Sequence, residues 1–249
     1  MTARRLFTAT ALALTAALAV SACSSDSGDD QSAEPSAPPA ESDTSLTDVQ
    51  EAGVLVVGTE GTYRPFSFHE DGSGDLTGYD VEVIRAVAEE LGVEVRFEET
   101  QWDAIFAGLE AGRFDVIANQ VSITPEREEA YTFSEPYTYS PGVIVVREGD
   151  DSIGSFADLG GKTTAQSLTS NWYTLAEENG ATIEAVEGWA QAVALVEQGR
   201  VDATINDELT FLDYKKQTGA AGLVVAAETD DVSRSASRSA PGPPRSPTP

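Results

Sequence analysis

The stretch Asn119-Gln120-Val121-Ser122-Ile123-Thr124-Pro125-Glu126-Arg127 leads from an apolar strand through a polar loop into a helix. Thr124 before Pro125 suits an N-cap followed by Pro at the first helical position, which places Arg127 in the first turn. A helix start offers free N–H groups and partial positive charge that favour an anion, so a cation there opposes the dipole. Arg127 makes sense in that place if its planar fork and nearby N–H groups grip a carboxylate together. A surface ion pair with Glu126 or Glu128 is the simpler alternative. The opposite charge arrives at Asn206-Asp207-Glu208, just past an apolar strand at residues 201–205. A carboxylate at Asp207 facing Arg127 across a cleft makes a receptor for a zwitterion, Arg127 taking an α-carboxylate and Asp207 an α-ammonium. Asp207 is equally suited to cap the helix at residues 208–217.

The elements that must position these groups are written twice. Residues 102–119 align without gaps on residues 189–206, with identity at Trp102/Trp189, Ala107/Ala194, Glu110/Glu197, Gly112/Gly199, Arg113/Arg200, Asp115/Asp202 and Asn119/Asn206. Each copy reads as a helix, a Gly stop and a short apolar strand ending on Asn. A repeat this far apart indicates two similar lobes rather than a solenoid, whose periods run to about 20–50 residues. Ligands of open α/β sheets sit outside the carboxyl ends of the strands, where Asn119 and Asn206 fall. Further strands are expected at residues 54–58, 93–97, 142–146 and 223–227, with helices at 79–91 and 208–217. Alternation of strand and helix throughout argues α/β.

The ends of the chain differ from this body. Arg4 and Arg5 precede an apolar run at residues 6–20, which is shorter than the roughly 20 residues of a spanning helix and reads as an export signal. Arg4-Arg5-Leu6-Phe7 has a weak twin-arginine character. Val20-Ser21-Ala22-Cys23 looks like a bacterial lipoprotein cleavage box in which Cys23 becomes lipidated. As the sole cysteine, Cys23 excludes an intrachain disulfide and a Cys-based zinc site. Residues 1–22 therefore read as a lipoprotein signal peptide and 23–46 as a disordered acidic, Pro- and Ser-rich tether. The first lobe is expected at residues 47–143 and the second at 144–231, followed by a disordered Ser/Arg/Pro tail at 232–249. The formal charge of −27 repels nucleic acid and anionic lipid, so neither is an expected partner. Residues 70–75 lack the ligand pattern of an EF-hand, and no metal or cofactor is expected.

Taken together, Glu60-Gly61-Thr62-Tyr63-Arg64-Pro65-Phe66-Ser67-Phe68, Leu76-Thr77-Gly78-Tyr79-Asp80, Ser122-Ile123-Thr124-Pro125-Glu126-Arg127, Phe133-Ser134-Glu135-Pro136-Tyr137 and Gly199-Arg200-Val201-Asp202-Ala203 with Asn206-Asp207 occur in order. This set closely resembles the extracellular solute-binding proteins of family 3, which deliver polar amino acids to ABC importers. The resemblance covers residues 50–231. Residues 118–122 and 165–171 look most like the cystine-binding branch.

The resemblance implies a two-lobed, type II periplasmic-binding-protein-like α/β fold, an amino-acid ligand, permease subunits as partners, and a monomer lipid-anchored to the outer face of the cell membrane. It assigns Tyr63 and Trp102 as aromatic walls with Glu60 beside them, although aromatics also pack simply as core. Backbone groups of Gln120 and Ser122 would meet the ligand's ammonium and carboxylate, with Arg127 as the main ion pair. Thr169 and Ser170 would give N–H and hydroxyl contacts, Gln166 would face the side chain, and Asp207 would take the ammonium. Trp189 is left to the core. In this family the chain continues past the strand at 223–227, crosses back to the first lobe and ends in two helices. By that pattern one interlobe connection is expected to be missing and the fold incomplete at the carboxyl end, giving a poorly stable or inactive product. The rival reading is a dehydratase-like enzyme on the same fold. Acid–base chemistry would rest on Glu60, since His69 is the only histidine and precedes a turn.

Overall fold

The computed structural model describes residues 44–219 and 222–239. The expected signal peptide, Cys23 and most of the expected tether, together with residues 220–221 and 240–249, lie outside the described residues. Helix α1 (Ser45–Ala52) ends at Gly53, which adopts a left-handed φ of 70°, and strand β1 (Val54–Thr59) follows. A small antiparallel sheet comes next, built from β2 (Thr62–Tyr63), β3 (Ser67–His69) and β4 (Leu76–Thr77). Helix α2 (Tyr79–Leu91) carries apolar residues at helical spacing, stops at Gly92 and leads to β5 (Glu94–Glu99). Then come α3 (Trp102–Glu110), β6 (Val116–Ser122), α4 (Pro125–Ala130), β7 (Thr132–Phe133) and the long β8 (Thr138–Arg147). A 3₁₀ turn at Phe156–Leu159 precedes β9 (Thr163–Gln166), α5 (Asn171–Glu178), β10 (Thr182–Ala185), α6 (Trp189–Glu197), β11 (Ala203–Asp207), α7 (Glu208–Thr218) and β12 (Leu223–Ser239).

The main sheet runs β10-β9-β11-β8-β12-β6-β1-β5, with β7 attached to β12. Parallel strands β5, β1 and β6 form one end, and parallel strands β10, β9 and β11 the other. The antiparallel pair β8 and β12 lies between them. This is the expected two-lobed α/β plan. The inner strands β1, β6, β9 and β11 are largely buried on both faces, whereas the edge strands β5 and β10 carry charged residues and stay partly exposed. In β8, Val143 and Val145 join one core with Val193, Val196 and Phe211, while Ile144 and Val146 join another with Leu159, Trp172 and Ile205. In the first lobe, Ile105, Leu109, Phe114, Ile117 and Val121 pack on one face, and Leu55, Val57, Ile84 and Ala118 on the other. Gly58 is fixed by close approach: a Cβ there would stand 2.5 Å from the Phe114 ring.

The repeat is a shared construction device. Asp115 exchanges bonds with Val56 of the neighbouring parallel strand, accepting its N–H at 2.8 Å and donating its own N–H to the Val56 carbonyl at 2.8 Å. Asp202 does the same to Thr163, at 2.8 Å in each direction. Each lobe thus locks the strand after its repeat helix to its neighbour, so that Asn119 and Asn206 reach the equivalent carboxyl end.

The tail departs from expectation. A disordered segment from residue 232 and a missing second connection are both at odds with β12, which continues to Ser239. Residues 232–235 pair with β8, Ser235 and Ala236 pair with Ser122 and Val121 of β6, and Arg238 pairs with Ile117 and Phe133. The physical reason is that ladder pairing is made by backbone groups. The free edges of β8 and β6 supply N–H and C=O partners whatever the side chains, so a Ser/Ala/Arg segment without apolar period still completes the sheet. Its side chains fit less well: Arg238 is 1% exposed, lies 4.3 Å from the Phe106 ring centroid, and none of its three guanidinium nitrogens has a hydrogen-bond partner among the described residues.

Candidate functional site

The carboxyl ends of β1, β6 and β11 and the starts of α3, α5 and α6 enclose a cavity of about 220 Å³. Of the residues expected to bind a ligand, Glu60, Tyr63, Trp102, Gln120, Ser122, Ser170 and Asp207 line it. Gln166 lines an adjoining recess, and Arg127 and Thr169 stand behind the wall.

At the first-lobe side, Asn119 organises Glu60. Its Oδ1 accepts from Thr59 Oγ1 at 3.0 Å, Ser67 Oγ at 3.0 Å and the Glu60 N–H at 2.9 Å. Its Nδ2 donates to Glu60 Oε2 at 2.6 Å. Burial pushes the Glu60 carboxyl up to about 7, with Asp103 adding to the rise and the Asn119 bond opposing it. Asn206, the repeat partner, plays the counterpart role by accepting from Tyr63 Oη at 2.7 Å and from the Asp207 N–H at 2.8 Å. The single Tyr63 Oη proton is shared with Asp207 Oδ2 at 3.1 Å, and the oxygen accepts from Thr210 Oγ1 at 3.1 Å, tying the two lobes together.

Asp207 is 3% exposed, and although it occupies the N-cap of α7 its side chain makes no capping bond. Its Oδ1 has no partner among the described residues, and burial, with Asp80 nearby, pushes the carboxyl up to about 7. The capping alternative is thereby removed. A buried, half-satisfied carboxylate facing a cavity is costly unless a cation joins it.

The carboxylate wall is more indirect than the sequence suggests. Thr124 caps α4 as expected, accepting from the Arg127 N–H at 3.3 Å, so that group is not offered to a ligand. The Arg127 guanidinium donates to the carbonyl of Ser122 at 3.0 Å and to the carbonyl of Thr169 at 3.1 Å, and sits 5.3 Å from the Phe106 ring. Burial lowers its pKa to about 10. Among the described residues it makes no ion pair with Glu126 or Glu128. Three further expectations change. The Gln120 N–H donates to buried Asp80 at 2.6 Å, because Gln120 takes a left-handed φ of 50° that turns it inward. Thr169 gives its N–H and hydroxyl to Asp103 Oδ1 at 3.0 and 2.9 Å. Ser170 gives its N–H to the Ser167 carbonyl, and its Oγ caps α5. Trp189, assigned to the core, packs edge-on against Tyr214 but also lines the cavity.

Asp80, Asp103 and the α6 start at Glu187, Gly188, Ala190 and Gln191 were missed by sequence reasoning. Asp80 sits in the quoted Gly78-Tyr79-Asp80 run and is 0% exposed, a signal available only as an acidic residue on the apolar side of α2. The bonds from Asp103 and Tyr63 across the cleft make this a closed arrangement. Among the described residues no cluster of His, Cys, Asp or Glu could hold a metal, and no helix is long and apolar enough to cross a membrane.

Residues 55–187 match the model of the bacterial extracellular solute-binding proteins, family 3. The chain belongs to this family. A probable amino-acid ABC transporter-binding protein of Haemophilus influenzae is 57% identical over 183 residues, covering 74% of this chain and 71% of that protein. The L-cystine-binding protein TcyA of Bacillus subtilis is 53% identical over 183 residues, covering 74% and 68%. These family 3 relatives are binding components of transporters rather than enzymes. Among solved structures, an ancestral arginine-binding protein bound to arginine superposes with a TM-score of 0.69 at 35% identity, covering 76% of this chain and 84% of that one. The L-cystine solute receptor of Neisseria gonorrhoeae, in its unliganded open conformation, is 50% identical yet gives 0.50, covering 79% and 84%. Higher identity with poorer superposition agrees with the closed lobes seen here.

Proposed function

We propose that this chain is the extracytoplasmic binding component of an ABC importer and holds L-cystine in the interlobe cleft. The observation that carries the reading is Asp207 Oδ1, a buried carboxylate oxygen without a partner on the cavity wall. An α-ammonium supplies the missing donors. The α-carboxylate sits against Ser122 and Ser170. There Arg127, with two of its five N–H groups engaged among the described residues, turns remaining donors toward it. Tyr63 and Trp102 pack on the aliphatic part, and Glu60 accepts from the far polar group. The identity to L-cystine-binding relatives supports cystine over arginine. Lipid on Cys23 and a removed signal peptide keep a monomeric binder at the membrane beside its permease.

Isothermal titration of an amino-acid panel against the full chain tests this. L-cystine should bind most tightly, and Asp207→Asn should weaken it by at least about tenfold, the worth of a charge-assisted bond. Equal affinity of the variant and the parent, or no preference for cystine within the panel, would refute the reading.

A further inference from the structure

Helix α2 carries two apolar stripes, and the sheet uses one of them. Val81, Ile84 and Ala88 are buried, Ile84 in the first-lobe core with Leu55 and Val57. Val83, Val87 and Leu91 recur four positions apart along the neighbouring side. They stand partly open, Val87 at 42% exposure, and form one wall of an apolar groove of about 440 Å³. Val116, Phe133 and Tyr137 complete it. The groove shares no lining residue with the ligand cavity. Contiguous open apolar surface of this kind marks a docking site.

The chain itself leads into this groove. Ser239, at the end of β12, lines it and pairs with both Val116 of β6 and Thr132 of β7. The residues that follow are Ala240-Pro241-Gly242-Pro243-Pro244-Arg245-Ser246-Pro247-Thr248-Pro249. Pro241-Gly242 is a chain-reversal signal, placed where the strand leaves the sheet. Beyond it, Pro244-Arg245-Ser246-Pro247 has prolines three apart. Proline presets the polyproline II helix, whose three residues per turn and rise of about 3.1 Å put Pro244 and Pro247 on one face about 9 Å apart. The stripe from Val83 to Leu91 is about 12 Å long at 1.5 Å per helical residue, so the two periods fit. Such segments dock in aromatic-lined grooves, and their preset backbone keeps the ordering cost low. Arg245 is the one charge among residues 240–249, and Glu135, exposed on the groove, makes no ion pair among the described residues. We propose that residues 243–247 dock in this groove as a polyproline II segment, with Arg245 beside Glu135, and cover the outer stripe of α2.

Photocrosslinking of the full chain tests this. Glu90 is exposed beside the stripe, and Glu90→p-benzoylphenylalanine places a reactive ketone there without filling the groove. After irradiation, mass spectrometry should join position 90 to residues 240–249 of the same chain, at a yield independent of protein concentration. The same photoprobe in a chain carrying Pro244→Ser and Pro247→Ser should lose most of that product, because the segment is no longer held extended before it docks. Products linking two chains, with a yield that rises with concentration, would mean that a second copy fills the groove and would overturn the proposal. Absence of any product with residues 240–249 would overturn it too, as would a yield unchanged by the two substitutions. The single-probe chain decides the matter even if the proline variant does not fold, and no outcome depends on which ligand the cleft holds.

Discussion

Acidification from pH 7 to pH 5 should loosen the ligand and tighten the empty fold, two opposite responses from the same carboxyl groups. Asp207 and Glu60 both titrate near 7 because burial disfavours their charged forms, and both face the cavity. Asp207 is met by the Tyr63 hydroxyl and, through space, by Asp80; Glu60 is met by the Asn119 amide and by Asp103. If an ammonium binds only the ionised form, apparent affinity scales with the ionised fraction. That fraction falls from about one half at pH 7 to about one hundredth at pH 5, so one group weakens binding by about 50-fold. The ligand-free protein behaves in reverse. The folded-state pKa of Asp207 lies above its ordinary 3.8, so between about pH 4 and 7 the folded state holds more protons than the unfolded chain. Its stability therefore falls as pH rises through that window, by up to about 4 kcal/mol for this group. Titration calorimetry at half-unit pH steps, in buffers of different ionisation enthalpy, reads both the affinity and the proton release, and thermal melts without ligand read the second trend. A dissociation constant that stays flat between pH 7 and 5, or a ligand-free Tm that rises from pH 5 to 8, would refute the argument.

Two further outcomes follow from groups outside the cavity. Arg238→Met removes a buried guanidinium without hydrogen-bond partners and should raise stability by about 1–4 kcal/mol, read as a higher Tm; a fall would show that the ring contacts outweigh the burial cost. Asp103→Ala deletes the acceptor for the Leu168 N–H and for the Thr169 N–H and hydroxyl across the cleft, and should enlarge the ligand-free radius of gyration in X-ray scattering; an unchanged value would mean that the Tyr63 and Arg127 bonds suffice to keep the lobes together.

Much of the fold was legible because it rests on patterns that are local. Gly53 and Gly92 end helices where the apolar period ends, Thr124-Pro125 opens α4, and the repeated Asp115 and Asp202 mark equivalent strands. The strands β9 and β10 were not, since Thr163–Gln166 and Thr182–Ala185 are four residues each with no distinct alternation. Seven of the ten expected ligand-binding residues line one cavity, but what occupies their hydrogen bonds was not legible. Whether Gln120 shows its N–H to the cavity depends on a single left-handed φ that brings it to Asp80, and nothing near Gln120 in sequence records that. Thr169 is likewise claimed by Asp103, a partner 66 positions away. The course of residues 232–239 was missed for the complementary reason: side-chain patterning is silent where pairing is made by backbone alone.

The unpartnered atoms connect closure to ligand. With the lobes together, Asp207 Oδ1, Gln120 Oε1 and Gln166 Nε2 are all buried and unbonded, and two carboxyl groups are desolvated on one cavity. Each such atom costs about 1–3 kcal/mol when water is removed without replacement. Against this the closed state gains the Tyr63, Asp103 and Arg127 bonds between lobes, each worth only about 1 kcal/mol net, somewhat more where a charge takes part. The two sums are of similar size and opposite sign, so closure of the empty cleft is nearly neutral. A ligand that supplies an ammonium to Asp207 and acceptors to buried donors removes the costs without touching the gains. Closure then follows binding because the cleft residues are complementary to the ligand rather than to one another.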